Sequence, residues 1–104
     1  MTMVFHPAAR EEARQAFLYY SGIDQALADD FEKRVANALN EISNDPLRHR
    51  VRRFAVRRYN LLRFKLYYIA YMIWREEIVV IAIGHASKRP YYWYRRPKDY
   101  RDTH

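Results

Sequence analysis

A chain of 104 residues, half of them apolar, is long enough for one domain with one core and too short for two. It contains no cysteine, which excludes disulfides and thiolate metal sites. Its net charge of +7 is laid out unevenly, with 6 Lys/Arg against 8 Asp/Glu in residues 1–50 and 13 against 4 in residues 51–104.

The first predicted element is a short N-terminal strand, "MVFH", which runs into Pro7. Proline suits the first turn of a helix, where its missing N–H costs nothing. Ala9, Ala13, Ala16, Phe17 and Tyr20 then follow at helical spacing, with Glu11 and Glu12 toward the positive end of the helix. Gly22 stops this helix and Asp24 can cap the next. Leu27, Phe31, Val35, Ala38 and Ile42 form one apolar stripe, and "SNDP" ends it. A link this short makes the pair an antiparallel hairpin.

After Pro46 the period changes. "VRRFAVRRYNLLRF" mixes arginine with apolar residues, while "LYYIAYMIW" and "IVVIAIG" are rich in β-branched and aromatic types and are separated by "REE". This reads as an antiparallel β-meander with tight connections. The predicted fold class is therefore α+β, with an N-terminal strand and a two-helix antiparallel hairpin packed on that meander. Residues 1–50 hold the strand and hairpin, 51–96 the basic meander and an aromatic segment, and 97–104 a frayed polar tail.

The two central strands are apolar at both odd and even positions, so both of their faces are apolar. A helix hairpin covers one face. The other is expected to be covered by the chain's own ends, by a second copy in a dimer, or by a protein partner. An uncovered face would lie around Tyr67, Tyr71 and Ile73 or their even-numbered neighbours.

Charge and aromatic rings gather in the second half, which also holds eight of the ten tyrosines. That combination suits a nucleic acid or an acidic protein surface. Arg58, Arg63, Lys65, Tyr91, Arg95 and Arg96 are the candidate binding residues. His85 sits where the last strand should end, followed by Lys88, Arg89 and Tyr92. A histidine that moves a proton, cations that hold a phosphate and a tyrosine are the parts of a metal-independent RNA cleavage. The plainer reading of His85 is a hydrogen-bonded turn residue. In "PYYWYRR" four successive aromatics cannot all point inward, and Trp93 is the expected anchor in the core. Pro90 suits the start of a terminal helix or turn.

Other chemistries lack their residues. The only glycines, Gly22 and Gly84, make no phosphate loop, and His6, His49, His85 and His104 show no metal-ligand spacing, so no cofactor or metal is expected. The longest apolar run, Tyr67–Trp74, falls well below the roughly 20 residues of a membrane span. No apolar leader opens the sequence. A soluble, cytoplasmic protein is expected.

The order of parts, closing on His85–x–x–x–Arg89–Pro90–x–Tyr92–Trp93, resembles the RelE/ParE superfamily of type II toxin–antitoxin systems, often labelled plasmid stabilisation proteins. The resemblance covers nearly the whole chain and is most specific over residues 66–93. It implies a growth-inhibiting toxin and a cognate antitoxin whose C-terminal segment wraps over it. One branch of the superfamily cleaves mRNA on the ribosome, and the other, ParE-like, inhibits DNA gyrase. The cleaving branch commonly carries an arginine where this chain has Tyr68 and a second where it has Ala86. Each lost phosphate-directed donor costs about 3 kcal/mol of transition-state stabilisation. Tyr92 matches the terminal tyrosine of that branch, and Lys88 or Arg89 would have to replace the missing charge. The resemblance therefore favours a ParE-like gyrase inhibitor over a RelE-like mRNA endonuclease. A non-toxic relative that only binds its partner is the third reading.

Overall fold

His6 joins the first two elements. The computed structural model describes residues 1–104. In it β1 (Thr2–Phe5) ends at His6, whose Nδ1 accepts the Ala8 N–H at 3.0 Å and so caps α1 (Pro7–Ser21). Pro7 holds the first turn as expected. Asp24 caps α2 (Gln25–Asn44) by accepting the Ala26 N–H at 3.1 Å. The buried stripe of α2 is Ala28, Phe31, Val35, Ala38 and Ile42, with Leu27 only half-buried. On α1 only Ala9 and Ala16 are buried, so small side chains let that helix lie close to the sheet.

The second half forms β2 (Arg57–Asn60), β3 (Tyr67–Trp74) and β4 (Glu77–His85). They pair antiparallel in sequence order, and β1 adds parallel to the free side of β4, giving the order β1-β4-β3-β2. The α+β arrangement of hairpin on meander is as the sequence predicts. Arg75 and Glu76 both take positive φ, 51° and 62°, in the two-residue turn between β3 and β4. That geometry matches the twist of the flanking strands.

Less of "VRRFAVRRYNLLRF" is strand than its pattern suggests. Arg53–Ala55 is a tight turn, and the chain leaves β2 after Asn60 for a run of bends. Phe64 and Leu61 from those bends drop into the core beside Tyr20 and Phe31, whose rings meet Phe64 at 5.2 and 5.1 Å.

The sheet has no uncovered face, and this corrects the expectation of surplus apolar surface. Ile69, Tyr71, Ile78, Val80 and Ile83 face the helices, and Tyr68, Ala70, Met72, Val79, Ile81 and Ala82 face the other way. A bulge in the β3–β4 register, at Ile81 between the pairs Ala70–Ala82 and Tyr71–Val80, reverses the alternation along β4. Val56, Trp93 and Tyr100 seal the second face. All but the last of residues 97–104, expected to fray, belong instead to α3 (Arg96–Thr103), which buries Pro97 and Tyr100. Tyr100 meets Trp74 edge-on at 5.8 Å and stacks on His104 at 3.9 Å. Two buried residues in a short polar helix leave no apolar periodicity to read.

Candidate functional site

β1 pairs with β4 only from Glu77 to Val80, whereas β4 runs on to His85. From Ile81 onward its outer edge has no partner strand. Side chains take over part of that role. The Ile83 N–H donates to Glu12 Oε1 at 3.1 Å, and the Ile81 carbonyl accepts from Arg96 at 3.1 Å. Alternation along the strand aims the Ile83 carbonyl and the His85 N–H outward along the same edge.

Glu12 organises this corner. Arg96 grips it with both ends of its guanidinium, at 2.8 and 3.1 Å, and the Tyr92 hydroxyl donates to its second oxygen at 2.5 Å. Both members of the ion pair are mostly buried, with side-chain exposures of 19% for Arg96 and 15% for Glu12. Burial first, then the hydrogen bond to Glu12, holds the Tyr92 phenol above its ordinary pKa. Arg96 and Lys88 flank the Tyr92 ring at 5.2 and 4.8 Å. A carboxylate at position 12 falls on the helix face that carries Ala9, Ala13 and Ala16. That placement was the available signal for Glu12, which helix-dipole reasoning alone passes over.

Beside this network runs a groove of about 710 Å³ between α1 and the end of β4. Tyr19, Ile23 and Leu66 are among its apolar lining, each more than half exposed, and Glu11, Glu12, His85, Lys88 and Arg96 are its ionisable lining. His85 Nδ1 accepts the Ser87 N–H at 3.0 Å, which sets the neutral ring as the Nε2-protonated tautomer. Its ring meets Tyr67 edge-on at 4.7 Å. The structure thus brings His85, Lys88 and Tyr92 to one rim. Arg89 is exposed on the loop beside them, and its carbonyl accepts the Tyr92 N–H at 3.2 Å.

A family model described as "ParE toxin of type II toxin-antitoxin system, parDE" matches residues 3–90. The chain belongs to the ParE toxin family. It is therefore the toxin side of a type II toxin–antitoxin system, and the family implies an antitoxin as its partner. Among curated proteins no sequence matches it significantly. The match takes in Glu12, His85 and Lys88, while Tyr92, Trp93, Arg96 and α3 lie beyond it.

In this ParE toxin the remaining predicted site residues scatter. Arg58 lies over the Tyr68 ring at 3.8 Å on the face away from the helices, and its Nε donates to Asn60 at 2.8 Å. Arg63 pairs with Asp30 of α2, and Lys65 is exposed on the loop before β3. Arg58, Arg63 and Lys65 do not share one surface, because the chain bends at residues 62–64 after β2 and Arg63 there turns to Asp30 of α2. Arg96 is spent on Glu12 and is not a free cation for a target. Tyr91, with a φ of 58°, packs edge-on against Trp93 at 5.6 Å, and Arg95 donates to the Tyr94 hydroxyl at 2.8 Å.

The expected antitoxin residues also need correction. Tyr71 is fully buried under the hairpin, with its hydroxyl donating to the Pro46 carbonyl at 2.8 Å, so no partner can reach it. Ile73 is half-buried on the same side. Of the three, Tyr67 alone lines the groove. No helix is long and apolar enough to cross a membrane.

Proposed function

We propose that this toxin arrests growth by inhibiting DNA gyrase, as ParE-like members do, and that it does not cut mRNA. One observation carries the reading. The tyrosine and the nearest guanidinium that an RNA-cleaving site would draw on are engaged within the fold. Tyr92 donates to Glu12, and Arg96 is locked to the same carboxylate. Freeing Tyr92 for proton transfer would leave a mostly buried carboxylate short of a donor. A toxin that works by binding needs no such freed groups.

The groove between α1 and the end of β4 is our assignment for the antitoxin. Its apolar residues and unpaired strand edge suit an extended segment with alternating apolar residues.

The test is a supercoiling assay with purified protein and gyrase, beside primer extension on translated mRNA from expressing cells. Loss of supercoiling at micromolar toxin, with no new cuts in mRNA, is expected. Unimpaired supercoiling together with codon-positioned cuts that disappear in a His85→Ala, Tyr92→Phe variant would overturn the reading.

A further inference from the structure

We propose that the corner around Phe54, on the sheet face away from the helix hairpin, binds single-stranded nucleic acid. Phe54 and Ala55 are consecutive residues at φ 62° and 59°, a left-handed pair that L side chains adopt only at a cost. No glycine relieves it. The strained turn keeps the Phe54 ring 37% exposed in place of burying it. Tyr94, Tyr91 and Trp93 surround it at 5.9, 6.0 and 6.3 Å, and Tyr94 is itself 38% exposed. Two open rings thus stand side by side on a foundation that Trp93 anchors in the core.

Cations frame these rings. The Arg53 guanidinium lies 5.1 Å from Phe54 and 5.2 Å from Tyr91. A hollow of about 610 Å³ opens beside Phe54 and Tyr94, edged by Arg95, Lys98 and Arg101. Arg52 and Arg58 line a smaller recess next to Tyr91. Against these six cations stand Asp99 and Asp102, and Asp102 is paired with Lys98 at 2.6 Å.

Partly exposed rings, flanked by guanidinium groups that carry no ion pair and could move aside to a phosphate, fit unstacked bases on a phosphate chain. A duplex hides its base faces, and an acidic peptide would satisfy the cations but leave the rings in water. The surface lies away from the α1 groove and is independent of the gyrase reading.

The test is fluorescence anisotropy of the full chain with labelled oligothymidylate and oligouridylate, against duplex DNA and poly-glutamate competitor. Both single strands should bind, and the ratio of their affinities shows whether DNA or RNA is preferred. A Phe54→Leu, Tyr94→Leu variant keeps apolar bulk and should bind about tenfold more weakly. An Arg53→Gln, Arg95→Gln variant should flatten the salt dependence by about 0.7 of a unit of slope for each phosphate no longer neutralised. Arg14→Gln, on the helix hairpin, should change nothing. Unaltered affinity in the leucine variant, equal affinity for duplex, or displacement by poly-glutamate at equal charge would overturn the proposal, the last in favour of an acidic protein partner.

Discussion

Glu12 and Arg96, 84 positions apart, close into a two-pronged ion pair that ties the middle of α1 to the first turn of α3. The same carboxylate holds the Tyr92 hydroxyl and the Ile83 amide. One side chain therefore joins the hairpin, the strand edge and the C-terminal segment.

Removing one partner from this pair strands the other in a mostly dry site. Glu12→Ala should destabilise the chain by about 3 kcal/mol in urea unfolding. Adding Arg96→Met to it should recover part of that loss, because the uncompensated guanidinium is gone. A double variant less stable than Glu12→Ala alone would show that the ion pair is not the cause.

Gly84 sits across from Tyr68 in the β3–β4 register, and a Cβ there would come within 2.1 Å of the Tyr68 ring. The ring is held in place by Trp93, whose Nε1 donates to the Tyr68 hydroxyl at 3.1 Å, and by Arg58 above it. Gly84→Ala should cost about 2 kcal/mol. In a Tyr68→Leu background the same change should cost less, as measured by a double-mutant cycle in thermal unfolding.

A chain ending at Arg95 would lose α3 and bare the sheet face now covered by Tyr100. It should bind an apolar dye strongly and melt at lower temperature. Dye binding equal to that of the full chain would mean α3 covers little.

At high pH the buried tyrosines should lower stability, Tyr59 and Tyr67 among them. Burial, followed by neighbouring Tyr20, pushes Tyr67 up to about 12, and burial with the Glu41 carboxylate does the same for Tyr59. Between the unfolded value near 10 and the folded value, the native chain holds protons that the unfolded chain has lost. Their stabilising effect is complete below about pH 10 and fades as pH rises toward 12. Urea midpoints across this range should fall less steeply in a Tyr59→Phe, Tyr67→Phe variant.

Much of this architecture is legible in order along the chain. Pro7, the Asp24 cap and the Phe31–Val35–Ala38–Ile42 stripe mark two helices, and the β-rich runs on either side of Arg75 and Glu76 mark a hairpin. These signals are local, because capping, periodicity and turn geometry act within a few residues. Trp93 could also be named in advance, since the largest apolar side chain of an aromatic run gains most from burial.

What covers the second face of the sheet was decided only by the tertiary structure. The bulge at Ile81 scrambles parity along β4, and α3 contributes just Pro97 and Tyr100, so neither leaves a periodic trace. The division of the cations was also decided there. Arg96 and Arg95 are neighbours in sequence, yet one is locked to Glu12 and the other stands beside an exposed ring. Composition sets how many charges the molecule carries, but only packing in three dimensions brings a distant carboxylate to one arginine and leaves the next one free.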